Sequence, residues 1–158
     1  MVGCTAFAYG APEDVEVYRV VIDDVASADD IEPGYLSATL ARERFGEDDD
    51  CDRPWREWML ATFPAATPAL LDDFCRNQRR APTFLSPRRR LVLSRAVPVT
   101  AGSERGRDEL QVSTVGYDHD GRLALALVVV RSEFGVYYLL TRTNRGWQVL
   151  SHSLKWIS

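Results

Sequence analysis

From Gln111 to Ser158 the sequence reads as four apolar segments separated by tight turns, and that run decides what the rest of the chain must do. The predicted strands are Gln111–Tyr117, Arg122–Arg131, Gly135–Thr143 and Trp147–Ile157. Between the first two stands Asp118-His119-Asp120-Gly121, whose Asp-Gly pair supplies the positive φ of a tight hairpin turn. Between the last two stands Asn144-Arg145-Gly146, a three-residue connection with Gly where a left-handed residue is wanted. The segments themselves are rich in Val, Tyr, Thr, Leu and Trp, which suit a pleated surface. Leu123 to Val130 is apolar at every position, the mark of a central strand covered on both faces.

Side chains alternate along a strand, so the loop fixes a register and two faces. With Asn144–Gly146 as the loop, Thr143 faces Trp147, Tyr138 faces His152 and Leu140 faces Leu150. One face then carries Val136, Tyr138, Leu140, Leu150, His152, Leu154 and Trp156. The other carries Tyr137, Leu139, Thr141, Trp147, Val149, Ser151 and Ser153. The first is apolar except for one hydroxyl and one imidazole, and is the face expected to lie under helices. The expected fold is α+β: N-terminal helices covering a C-terminal four- to five-stranded antiparallel meander.

The helices are sought upstream. Pro12-Glu13-Asp14 is a helix-start signal, followed at helical spacing by Val15, Tyr18, Ile22 and Val25. The many β-branched residues leave a strand over Val15–Ile22 as the alternative. Pro33 to Phe45 reads as a second, shorter helix ended by Gly46. Glu47–Asp52 is an acidic loop; it has Asp48, Asp50 and Asp52 where a calcium loop would. Arg53 stands where that loop needs Gly and Met59 where it needs Glu, so a solvated loop is preferred. Pro54 starts a third helix with Trp55, Trp58, Met59, Thr62 and Phe63 along one stripe. Thr67-Pro68 caps and starts a fourth, with Leu70, Leu71, Phe74 and Cys75 inward. Leu91–Thr100 is a candidate edge strand, kept off the centre by Pro98.

The 158 residues bound one domain, 12–158, after a flexible N-terminus over residues 1–11. No stretch of about 18 apolar residues could cross a membrane, and no full signal peptide is present. Met1-Val2-Gly3-Cys4 matches the tail of a bacterial lipobox, which would make Cys4 a lipid anchor; an ordinary cysteine near a loose terminus is the preferred reading. Cys51 and Cys75 could pair in an oxidising compartment, but Cys75 lies at helical spacing from Leu71, so a buried free thiol is expected. Net charge is −4. Residues 1–75 hold 17 acidic and 5 basic side chains, a balance of −12, and residues 76–158 hold 6 and 14, a balance of +8. Opposite signs in one chain favour a compact fold, and the overall acidity argues against general nucleic-acid binding.

The C-terminal half resembles a family of uncharacterised bacterial proteins. The likeness is carried by Asp73-Phe74 with Asn77, by Ser113-Thr114-Val115-Gly116-Tyr117, and by Ala124–Val128. Gly135-Val136-Tyr137-Tyr138-Leu139-Leu140, Gly146-Trp147-Gln148-Val149 and Trp156-Ile157-Ser158 continue it, and Val17–Val21 is similar to the family's early helix. Members commonly look exported and usually carry a cysteine in the loop before the Gly-x-Tyr-Tyr strand. Here that loop is Arg131-Ser132-Glu133-Phe134, without one. The order of helices then meander also resembles an NTF2-like cone, an analogy of fold that fixes no chemistry.

The candidate site residues are few. His119 lies in a turn between acids and is read as a turn residue. His152, opposite Tyr138 and beside small Ala124 and Ala126, has the setting of a general base in a pocket with Tyr138 as donor; a hydrogen-bonded core histidine would look the same and is preferred. Trp55, Trp58 and Trp156 are candidate ligand contacts, with core packing the commoner role of such a stripe. Arg88, Arg89 and Arg90 close the cationic stretch Arg76–Arg90, suited to phosphate or carboxylate; neutralising the acidic half is the preferred reading. Nucleophile-elbow, phosphate-loop, dinucleotide and zinc patterns are missing, and no cofactor is expected. A non-enzymatic binding module for a protein or a small apolar ligand is the leading expectation. A small isomerase, cyclase or hydrolase using His152, and an arginine-mediated anion binder, are the alternatives.

Overall fold

The computed structural model describes residues 12–27, 33–36, 51–80, 108–130 and 134–156. In chain order the elements are α1 (Pro12–Ala26), β1 (Pro33–Leu36), α2 (Arg53–Thr62), α3 (Pro68–Arg80), β2 (Asp108–Val112), β3 (Gly116–Tyr117), β4 (Leu123–Val130), β5 (Phe134–Thr143) and β6 (Gly146–Trp156). The fold is α+β, with helices preceding a C-terminal sheet that is antiparallel from β2 onward. The sheet is open and runs β1-β2-β4-β5-β6, with β3 also on β4. The residues proposed for the flexible N-terminus, Cys4, most of the acidic loop, Arg88, Arg89, Arg90 and the Leu91–Thr100 strand lie outside the described residues.

Helices cover both faces of the sheet. On one, Val17, Tyr18, Val21, Ile22 and Val25 of α1 pack on Leu110, Val112, Ala124, Ala126, Val128, Tyr138 and Leu140. On the other, Trp55, Met59 and Phe63 of α2 and Leu70, Leu71 and Phe74 of α3 pack on Leu125, Leu127, Val129, Tyr137 and Leu139. Cover on both faces is what the all-apolar run Leu123–Val130 predicts, and the face expected to lie under helices is one of the two. The alternation of Leu123–Val130 explains it: both parities are apolar, so both faces need burial. Each large side chain so buried contributes about 1.5–3 kcal/mol relative to exposure.

The helix ends follow local chemistry. The Asp52 carboxylate accepts from the Trp55 N–H at 2.9 Å, and Pro54 occupies the first turn, where its missing N–H costs nothing. The Thr67 hydroxyl accepts from the Leu70 N–H at 3.2 Å at the start of α3. α1 forms where the Pro12 signal and the Val15–Val25 spacing put it, and the strand alternative falls away.

Several expectations are corrected. Pro33 opens a strand, β1, rather than a helix; β1 pairs in parallel with β2, Leu36 opposite Leu110. A proline is tolerated there because β1 ends the described sheet. The predicted strand Gln111–Tyr117 is two strands, β2 and β3, broken at Ser113–Val115, with both halves paired to β4. The β5–β6 connection is a two-residue turn: Thr143 faces Gly146, whose φ is +101°. Tyr138 faces His152 as expected, but Leu140 faces Val149, not Leu150. A β-bulge between Leu139 and Leu140 absorbs the extra residue on β6. In consequence Trp147 and Val149 lie on the α1 face, with Tyr138 and Leu140, and Leu150 is exposed.

Cys51 and Cys75 are joined in a disulfide, not held as free thiols, with Cα atoms 5.9 Å apart. Cys75 faces the core as its spacing to Leu71 predicts. Cys51, placed by sequence in the acidic loop, turns inward just before the α2 cap and meets it. The bridge spans 24 residues and ties the start of α2 to the middle of α3.

Asp73, Asn77 and Gln78 of α3 meet Ser113–Tyr117 in one junction. Asp73 Oδ2 accepts from the Tyr117 N–H at 2.8 Å, and the Asn77 amide donates to the Val115 carbonyl at 2.8 Å. Gln78, buried, donates to the Thr114 hydroxyl at 3.0 Å. The Ser113 hydroxyl accepts from the Leu127 N–H at 2.8 Å and donates to the Thr114 carbonyl. α3 thus satisfies the backbone of the β2–β3 break, where a buried polar group left unpaired would cost about 1–3 kcal/mol. Gly116 permits the approach: a Cβ there would lie 2.5 Å from the Phe74 Cβ and 2.6 Å from its backbone N and Cα.

Candidate functional site

The described residues bring His152 and Tyr138 to one place and add a third group, Asp24. Tyr138 is in the middle of β5 and His152 opposite it on β6, so both side chains project toward α1. α1 supplies Asp24 from its last turn, one residue before the buried Val25. The Tyr138 hydroxyl donates to Asp24 Oδ2 at 2.9 Å. Nδ1 of His152 lies 3.6 Å from the same oxygen, and the two rings sit 5.6 Å apart, tilted by 53°. One carboxylate oxygen therefore serves both partners.

The three groups differ in exposure, which sets their chemistry. Tyr138 is buried, whereas the His152 side chain is 56% exposed. Burial raises the Tyr138 pKa well above the ordinary tyrosine range; the hydrogen bond to Asp24 and the charge of Asp24 push the same way. The hydroxyl is thus a fixed donor at all ordinary pH. Asp24 lies on the Nδ1 side of the imidazole, so Nε2 is the ring nitrogen left facing outward. The ring belongs neither to a closed core nor to the floor of a cone. It stands at the rim where the cover of α1 gives out, flanked on β6 by exposed Leu150 (48%) and Leu154 (53%).

The aromatic candidates are not gathered at this place. Trp55 is buried; its indole N–H donates to the Tyr137 hydroxyl at 3.2 Å and its ring stacks 5.9 Å from Phe74. Trp58 meets the Tyr137 ring edge at 5.9 Å, and the Lys155 ammonium sits 5.2 Å over its face. Both belong to the core on the α2–α3 side, as the commoner reading of the stripe holds. Trp156 pairs by backbone with Phe134 at the end of β6. His119 is an exposed turn residue; its neighbour Asp118 builds the turn by accepting from the Arg122 and Leu123 N–H groups at 2.7 and 2.9 Å. Among the described residues no cluster of three or more His, Cys, Asp or Glu side chains could hold a metal ion.

Sequence reasoning missed Asp24. The Asp23-Asp24 pair draws attention only as two adjacent carboxylates, which diverge on a helix. The available signal was its spacing, three residues after Val21 and seven after Val17, which turns Asp24 toward the sheet and leaves Asp23 exposed. No helix of the described residues is long and apolar enough to cross a membrane. Comparison of the chain with protein-family models, with curated proteins and with solved structures finds no match.

Proposed function

We propose that this protein is a non-enzymatic binding module of an oxidising compartment, and that it engages a protein partner along β6. One observation carries the reading. Three large apolar side chains are exposed among the described residues, Leu60, Leu150 and Leu154, and two of these flank His152 on β6. Among the described residues the other large apolar side chains belong to or pack against two cores, Trp55 and Trp58 with the α2–α3 one. The Cys51–Cys75 disulfide supports export, since such bonds persist where thiols are not kept reduced. Lipidation at Cys4 would fit the same compartment.

A photo-crosslinking residue at position 154, with one at position 60 on α2 as control, tests the proposal in cells. Protein adducts from 154 and none from 60 are expected. Equal yields from both, or none from either, would overturn it.

A second reading is favoured by Asp24. A histidine oriented by a carboxylate next to a tyrosine held protonated has the parts of a base and a donor. Here the imidazole opens to solvent while the Tyr138 hydroxyl is buried, so little would exclude water from a substrate at the ring. Hydrolysis of hydrophobic aryl esters that disappears in His152→Asn would support the enzyme; wild-type protein inert across such a panel would remove it. The arginine-mediated anion binder rests on Arg88, Arg89 and Arg90, outside the described residues, and no observation favours it.

A further inference from the structure

We propose that the partner is a second copy of this chain, joined to the first by antiparallel pairing of β6 with β6 about a two-fold axis at His152. The inference rests on the reading of β6 as the binding edge and names its occupant.

β6 ends the described sheet, so one side of its backbone is not part of the described ladder. An edge of this kind is a template for another strand unless something blunts it. β6 is long, with 11 residues, and contains no proline. Its one charged residue at neutral pH, Lys155, reaches toward the α2 layer and lies over the Trp58 ring. Leu150 is itself the extra residue of the bulge, and the regular ladder with β5 runs from Ser151 to Trp156.

The sequence of that stretch fits itself. Leu150-Ser151-His152-Ser153-Leu154 reads the same in both directions. Antiparallel pairing centred on His152 sets Leu150 opposite the partner's Leu154 and Ser151 opposite the partner's Ser153, each twice by symmetry. This is the pattern an isologous interface requires, since one patch must complement its own copy. The two leucine pairs would remove the apolar side chains that are about half exposed in the single chain. The serine pairs fall on the other face and can exchange hydroxyl hydrogen bonds. The five residues themselves bring no fixed charge to the seam of a chain of net charge −4, the carboxylate of Asp24 lying beside His152. The result is one sheet continuous through both copies.

Sedimentation of the full chain at about 100 µM and a register test by disulfide trapping decide the matter. In a Cys4→Ser background, His152→Cys places a thiol on the axis, facing its own copy at the spacing of directly opposed strand residues, about 4.5–5.5 Å between Cα atoms. The expected results are a mass twice 17.8 kDa, a covalent dimer from His152→Cys, none from a Leu60→Cys control, and a monomer of unchanged circular dichroism for Leu150→Lys/Leu154→Lys. A wild-type monomer whose His152→Cys form crosslinks no faster than Leu60→Cys would overturn self-pairing. So would a dimer that survives the double lysine variant. If position 154 then captures a different protein in cells, the binding-module reading survives without the dimer; if it captures nothing, both are lost.

Discussion

At Tyr138 a single hydroxyl links helix to sheet, and its proton sets a pH dependence. Donation to Asp24 across the α1–β5 contact is worth about 0.5–1.5 kcal/mol, so Tyr138→Phe should lower stability by that amount at neutral pH. The folded-state pKa is raised above the unfolded value of about 10. The folded chain therefore keeps a proton that the unfolded chain gives up. This contribution is complete below about pH 10 and is lost as pH rises beyond it. Its slope approaches about 1.4 kcal/mol per pH unit, the limit for one proton. Urea midpoints measured at pH 8 and pH 11 check this. The wild type should lose its advantage over Tyr138→Phe at the higher pH, and a gap that stays constant would show that burial and Asp24 do not hold the proton.

Between elements, the disulfide and the β-bulge show why some features were legible and others not. Turn residues and apolar alternation act within a few positions, so β4, β5, β6, α2 and α3 are readable from local sequence. Leu139/Leu140 against Val149–Leu150 is different. Nothing local marks the bulge, and one inserted residue reverses the face of Trp147 and Val149 while Tyr138 still meets His152. Pro33 misleads because the same residue opens a helix or sits on a strand at the sheet edge, and the choice is made by β2, distant in sequence. The Cys51–Cys75 link is likewise non-local. Half of it was visible in the inward spacing of Cys75, and the other half was hidden in an acidic loop. Closing 24 residues should stabilise by about 3–4 kcal/mol on the chain-entropy account. Replacing both cysteines by Ser should remove about 2–4 kcal/mol, seen as a lower urea midpoint, and reductant should shift the wild type toward the variant but leave the variant unmoved. A wild type insensitive to reductant at all urea concentrations would count against the bridge.

For the whole molecule the decisive property is that one strand is enclosed on every side. β4 is buried by α1 on one face and by α2 and α3 on the other, and it is paired with β2 and β3 along one edge and β5 along the other. Its sequence announced this through eight apolar residues in a row. The functional candidate lay at the opposite extreme. His152 and Tyr138 could be placed side by side from register alone, but the third member, Asp24, arrives from a helix more than 110 residues away in sequence, and the exposure of the ring depends on where that helix stops. These extremes should separate in amide hydrogen exchange. Amides of Leu123–Val130 can open only when the domain unfolds, so their exchange free energies should equal the global stability and fall in step with it under denaturant. On β6, amides directed toward β5 should follow them closely, while those directed outward should exchange through small local openings at high dilution. Raising the protein concentration should then slow the outward amides of Leu150–Leu154 and leave β4 unchanged, because self-pairing adds hydrogen bonds only at that edge. Outward amides already protected in dilute solution would mean that another part of this chain covers β6, and protection on β4 weaker than on β6 would contradict the enclosure of the central strand.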